Sequence, residues 1–314
     1  MLQYLVILLD DTSVAFCHAN NPIKDRNLIP IDILKKGILF GMKENLMIQY
    51  VYPDYDLPEE YNEVIESIDH IKIGREIHVY NGVPSVISDD NVVLRLSIAE
   101  FIDKQYDIAT LLPKVSRLNI CLTDIENFRD EKIPDYQNAL STLNAVLLNL
   151  YKEDRQPQVN ILTDRLQLTE MHNCGAGVNN VTLAPNGKFY LCPAFYYDEK
   201  SGVSNRLNHY NPTSERSVGD LDSGLLIPNQ QLFKLNHAPL CRICDAFHCN
   251  RCVWLNQKLT WDCNTPSHQQ CVLAHLERNA SRDLQQQLVE SGFNAGKDIK
   301  QISYLDPFEV REKF

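Results

Sequence analysis

Short apolar runs alternate with stretches of three-and-four apolar spacing through the first 170 residues. Residues 5–9 form a compact apolar run of strand length, and Val14-Ala15-Phe16-Cys17 predicts a second strand. Residues 31–40 predict a helix with Gly41 just beyond its end. Residues 47–51 predict a strand. Residues 58–68 predict a helix, with Pro58 at the start and acidic residues in the first turn, where the helix dipole favours them. Residues 77–80 predict a strand closed by the turn pair Asn81-Gly82. Residues 92–96 are rich in β-formers. Ser97 and Glu100 then have capping-box spacing and open a helix over 98–106. Residues 117–122 predict a strand carrying Cys121. Tyr136, Leu140, Leu143, Leu147 and Leu150 stripe a helix over 135–151. Residues 159–162 predict the last strand of this half.

This succession of strand and helix predicts an α/β domain with a mainly parallel sheet, whose helices cover strands that are apolar on both faces. No G-x-G-x-x-G or Walker-type loop follows any of these strands, so a Rossmann or P-loop nucleotide site has no support. The texture changes at Cys174. Residues 179–184 and 187–191 predict a hairpin around Pro185-Asn186-Gly187. Residues 198–225 are polar and predict a loop, and 232–235 a short helical turn. Ser267 and Gln270, again at capping-box spacing, place Cys271 in the first turn of a helix that runs through Leu273 and Leu276. A separate amphipathic segment carries Leu284, Leu288 and Val289 and stops near Gly292. The tail from Gly296 has no assigned structure.

Composition narrows the function classes. A chain of 314 residues with 44% hydrophobic content carries one large core or two modest ones. A net charge of −11 repels nucleic acid and disfavours a zinc-finger role. No apolar run approaches the length of a membrane span, and no secretory signal opens the chain, so no membrane association and a cytoplasmic location are expected.

The cysteines change the picture most. Cys241, Cys244, Cys249 and Cys252 fall within twelve residues at C-x2-C-x4-C-x2-C spacing, with Cys174 and Cys192 upstream and Cys263 and Cys271 downstream. Thiolates so placed suit Zn²⁺ or an iron–sulfur cluster rather than Ca²⁺ or Mg²⁺. A disulfide framework is the competing reading, but disulfide-dense chains are usually small and secreted. Spacing alone leaves zinc and iron–sulfur both open. Cys17 and Cys121 lie in apolar runs and read as core cysteines.

The order Cys174, Gly187, four residues, Cys192-Pro193, then the group Cys241, Cys244, Cys249, Cys252 and a closing Cys271 resembles the SPASM domain of radical-SAM peptide-modifying enzymes. The family usually has five and three residues where this group has four and two. The resemblance implies two [4Fe–4S] clusters. Cys241, Cys244, Cys249 and Cys271 would hold one. Cys174, Cys192 and Cys252 would hold the other, with Cys263 the natural fourth ligand, His172 and His248 weaker candidates, or an iron left open to a substrate group. The whole chain also resembles the CXXX repeat peptide maturases, through the stretch from Asp10 to His18 and Pro266-Ser267-His268-Gln269-Gln270-Cys271. That implies a partial or degenerate (β/α) radical-SAM-like barrel over 1–170, a SPASM-like domain over 171–276, and a C-terminal helix and tail over 277–314. Radical-SAM enzymes carry a C-x3-C-x2-C loop after the first barrel strand. This half has only Cys17 and Cys121, so reductive cleavage of S-adenosylmethionine is not expected.

The implied function is maturation of a ribosomally made, cysteine-repeat peptide. The chain would bind the precursor peptide, relay electrons or support a radical-SAM enzyme. The alternative is a structural adaptor with a zinc-stapled cysteine domain. No H-E-x-x-H, nucleophile elbow or triad points to an independent catalytic site. For substrate contact the candidates are His18 beside Asp10-Asp11, Asp124 with Glu126 at the C-terminal end of the 117–122 strand, and Phe195-Tyr196-Tyr197, which line a peptide groove or pack over a cluster. Trp254 and Trp261 are expected to shield the metal centre.

Overall fold

In a computed structural model, which describes residues 2–171, 174–202 and 216–293, the elements run in chain order as follows. The first stretch holds β1 (Tyr4–Leu8), α1 (Ile31–Lys43), β2 (Met47–Val51), α2 (Glu59–Ile65) and β3 (His70–Ile73). Next come β4 (His78–Asn81), β5 (Asn91–Leu96), α3 (Ile98–Asp103), α4 (Gln105–Leu111), β6 (Arg117–Leu122), α5 (Ile133–Lys152), β7 (Gln158–Val159) and α6 (Asp164–Gln167). The cysteine-bearing half holds β8 (Asn180–Leu183), β9 (Phe189–Tyr190), α7 (Pro193–Lys200), β10 (Gly219–Asp220), β11 (Gly224–Leu225), α8 (Val253–Thr260) and α9 (His268–Glu290).

The chain forms two compact units that interleave along the sequence. One comprises Met1–Ile77, Gly175–His237 and Cys252–Asn264; the other comprises His78–Cys174, Ala238–Arg251 and Thr265–Phe314. The first unit is built on a five-stranded sheet of order β3-β2-β1-β8-β9. β1 sits in the middle, parallel to β2 and β8, and only β9 is antiparallel. That placement explains the unbroken apolar run of β1, because a central parallel strand is covered on both faces. α1 lies close on this sheet. A Cβ at Gly37 would stand 2.3 Å from Leu183 Cδ2, and one at Gly41 2.9 Å from Ile48 Cδ1. Gly41 therefore does not end the helix, which runs on to Lys43; it lets the helix approach the strands.

The second unit is built on the parallel sheet β4-β5-β6-β7. The Ser97–Glu100 capping box forms as expected and starts α3, which breaks at Lys104 before α4. α5 buries Tyr136, Leu140, Leu143, Leu147 and Leu150, the predicted stripe. α5 also packs on α9, where the Asn144 amide donates to the Ala280 carbonyl at 2.7 Å.

Several expectations are corrected. Residues 14–17 form no strand, because the chain turns at Asp10–Ser13, and Val14 gives its N–H to the Tyr52 carbonyl outside any ladder. β3 has alternating polar residues and was not expected; as an edge strand it pairs on one side only. The 159–162 strand shrinks to Gln158–Val159. The stretch from residue 198, expected as loop, begins inside α7, and residues 219–225 form the β10–β11 hairpin. The two expected C-terminal helical segments are one helix, α9, continuous through residue 276. Ser267 caps α9 by accepting from the Gln270 N–H at 3.2 Å, but the reciprocal half of the box is missing and Gln270 Oε1 has no hydrogen-bond partner. His172 and the tail from Gly296 lie outside the described residues. Among the described residues no helix is long and apolar enough to cross a membrane.

Candidate functional site

The second unit gathers Cys241, Cys244, Cys249 and Cys271, the four cysteines that the SPASM resemblance assigns to one cluster. Three of them lie on a loop with little regular structure. Cys241–Ile243 makes one 3-10 turn, closed by the Cys244 N–H on the Cys241 carbonyl at 3.1 Å. The Ala246 N–H then points back to Cys244 Sγ at 3.4 Å, and the Cys249 N–H bonds the Ala246 carbonyl at 2.9 Å. Burial pushes the Cys241 thiol up to about 11, against the pull of the Arg251 guanidinium. Burial also raises Cys244 and Cys249. The Ala246 N–H opposes the first shift and the Arg251 N–H the second, and the neighbouring thiols reinforce the shift at Cys249.

Side chains from α6 and α9 hold this loop. Cys244 Sγ lies 3.2 Å from His275 Nε2. Next to it, Asp245 is buried at 4% side-chain exposure and receives three guanidiniums. Arg165 donates Nε to the Asp245 carbonyl at 2.9 Å and Nη2 to Oδ2 at 3.2 Å; Arg278 Nη1 reaches Oδ1 at 3.2 Å; Arg282 Nη2 reaches Oδ2. Arg165 and Arg278 are themselves buried, at 1% and 0%. A little further on, His248 Nε2 meets Glu277 Oε2 at 3.1 Å, and the Tyr136 hydroxyl donates to Glu277 Oε1 at 2.7 Å. His248 Nδ1 is buried with no hydrogen-bond partner.

Sequence reading missed His275, Asp245, Arg165, Arg278 and Arg282. The signal was present on α9: Cys271, His275, Arg278 and Arg282 fall at steps of four, three and four, which is one helix face.

The remaining cysteines divide between the units. Cys174 belongs to the second; it is exposed, and its N–H bonds the Asn250 carbonyl at 2.8 Å. Cys192, Cys252 and Cys263 belong to the first. Cys192 precedes α7 in the N-cap position. Cys252 caps α8, its sulfur accepting from the Leu255 N–H at 3.4 Å. Cys263 is buried near the Leu232 carbonyl. Among the described residues no three His, Cys, Asp or Glu side chains stand close enough to hold one metal ion. The 241–271 set fits a soft centre by donor type alone, with three thiols on one loop and the fourth on α9.

The proposed substrate contacts lie elsewhere. Phe195, Tyr196 and Tyr197 are buried in α7. The Tyr196 hydroxyl donates to Asp11 Oδ1, and the Tyr197 hydroxyl to the Ser13 carbonyl at 3.4 Å. Asp11 Oδ2 also takes Asn27 at 3.2 Å and Lys200 at 3.1 Å, while Asp10 takes the Thr12 N–H and the Tyr55 hydroxyl, each at 2.8 Å. His18 is half-buried on the same loop after β1. Asp124 Oδ1 accepts the Ile98 N–H at 2.8 Å and so helps start α3. Trp254 is buried with its indole N–H on Asp198 at 2.8 Å, whereas Trp261 is 58% exposed. Cys121 stands on β6, its thiol pushed up to about 12 by burial.

No family model matches the chain, and no curated protein matches its sequence. Solved structures do match. Native anSMEcpe with bound AdoMet is 8% identical with a TM-score of 0.51, over 92% of this chain and 98% of that one. Native anSMEcpe with bound AdoMet and Cp18Cys peptide is 9% identical with a TM-score of 0.51, over 93% and 98%. A histidine-tagged form with bound AdoMet gives 8% and 0.51 over 92% and 94%. The likeness is one of fold: an α/β architecture distantly similar, over nearly its full length, to radical-SAM/SPASM-type structures.

Proposed function

We propose that this chain is an iron–sulfur protein acting in the maturation of a ribosomally made, cysteine-repeat peptide. It binds the precursor peptide, relays electrons or supports a radical-SAM partner. The observation that carries this reading is the near full-length likeness to anSMEcpe, whose structures hold AdoMet and in one case the Cp18Cys peptide. In this reading Cys241, Cys244, Cys249 and Cys271 hold one [4Fe–4S] cluster; Cys174, Cys192 and Cys252, with Cys263, hold a second. Such clusters supply one-electron transfer and, at an iron without a protein thiolate, a soft site for a substrate sulfur. At Cys244 burial outweighs the opposing Ala246 N–H and the Arg278 and Arg165 guanidiniums and keeps the thiol protonated, so a bound soft metal would supply the charge that ionises it. His18 and Asp124 remain the proposed peptide contacts, the buried Phe195–Tyr197 aromatics keep only their packing role, and reduced thiols go with a cytoplasmic location.

The loop after β1 does not fit an AdoMet-cleaving cluster. It offers Asp10, Asp11, Thr12 and Ser13, with Cys17 its one thiol, where three thiolates are required. Reductive cleavage is therefore not assigned. Formation of 5′-deoxyadenosine by the reconstituted chain would sink that part of the reading.

Iron, sulfide and colour measured on protein purified without oxygen test the whole. About eight irons and eight sulfides per chain in a brown protein support two clusters. A colourless protein with one or two zincs supports the second reading, a zinc-stapled adaptor. Four sulfur donors on one loop and one helix also suit zinc.

A further inference from the structure

We infer that His275 is a positioning residue of the thiol site: it donates Nε2–H to the Cys244 sulfur and ties that sulfur to α9, the helix that also carries Cys271. The inference rests on the thiolate–metal reading above, whether the centre is a cluster or zinc.

Three observations carry it. His275 lies one helical turn after Cys271, so the two share a face of α9. That face meets consecutive residues of the loop, with His275 on Cys244 and Arg278 and Arg282 on Asp245. The loop from Cys244 to Cys252 has no regular secondary structure, so side-chain anchors of this kind decide where its sulfurs stand. Chemistry fixes the direction of the bond. A thiolate bound to a metal carries no proton and can only accept, so the imidazole must hold its hydrogen on Nε2 when the site is loaded. His275 itself is buried. A hydrogen bond of this type orients the ligand and removes charge from it, and partners of metal ligands are worth roughly 10–100-fold in metal affinity.

The test uses the full chain, stripped of metal and handled without oxygen, with Co²⁺ as the probe and Zn²⁺ as competitor. His275→Ala is expected to bind Co²⁺ roughly 10–100-fold more weakly and to shift the thiolate-to-cobalt charge-transfer band, while circular dichroism reports that helix content is kept. His275→Gln keeps an N–H donor and is expected to recover most of the affinity and the band position. Equal affinity in wild type and His275→Ala overturns the inference and leaves the metal reading standing. Failure of Gln to rescue makes the imidazole a ligand in its own right and overturns the donor role. If wild type takes up neither iron, zinc nor cobalt, the metal reading falls and this inference falls with it.

Discussion

Two buried polar loops invite comparison, one in each unit. After β1, the consecutive carboxylates Asp10 and Asp11 are satisfied mainly by neutral donors, namely two tyrosines, a threonine and an asparagine, with the half-exposed Lys200 the cation on Asp11. After Cys241, the single carboxylate of Asp245 is held by three guanidiniums, and the thiol beside it by an imidazole. The first loop braces the end of a central strand, and the sheet would keep its shape with fewer of those bonds. The second has almost no backbone ladder, and long side chains from α6 and α9 set its course. A carboxylate fed by several neutral donors loses one modest bond at a time, whereas an anion shared by buried cations leaves uncompensated charges when it is removed. The comparison teaches that stability and placement are coupled at the thiol loop far more tightly than at the carboxylate loop.

The largest expected effect follows from that difference. Asp245→Ala removes the anion that three guanidiniums share, and a broken buried ion pair costs about 3–5 kcal/mol. Asp11→Ala leaves a tyrosine, an asparagine and a lysine that reaches solvent, at a cost of about 1–3 kcal/mol. Urea unfolding of both variants measures the two costs side by side. A loss at Asp11 equal to or greater than that at Asp245 would break the comparison.

The two loops also differ in how far the sequence disclosed them. The C-x2-C-x4-C-x2-C spacing announced the thiol loop, because chelating residues repeat locally. The partners that fix the loop lie on α9 and α6, roughly 30 and 80 positions away, and only the stripe of Cys271, His275, Arg278 and Arg282 hinted at them. Asp10-Asp11 read as the end of a strand, but the tyrosine that pairs with Asp11 comes from residue 196, beyond the reach of any local pattern. Elements with a full apolar period, such as β1 and α5, were legible. β3 and α8 were not: an edge strand and a short mixed helix take their form from what they pack against.

The smallest effect, and the one that separates charge from packing, is at Tyr196. Burial and the neighbouring Asp11 carboxylate both raise its phenol well above the ordinary 10.0. The folded chain therefore holds this proton more tightly than the unfolded chain does. Stability from the protonated hydroxyl is fully present below pH 10 and is lost as the pH climbs past it. Tyr196→Phe gives up one hydrogen bond to the Asp11 carboxylate at neutral pH, but keeps the ring contact with Tyr190. It should consequently lose less stability than wild type between pH 9 and 11. Tyr136, raised in the same direction by burial and by Glu277, supplies the matching variant in the other unit. Urea midpoints of wild type, Tyr196→Phe and Tyr136→Phe across that range decide the matter. Parallel slopes for all three would mean that neither hydroxyl is held against its carboxylate. Flattening in both variants would show that the units share an alkaline sensitivity although their charged loops are built differently.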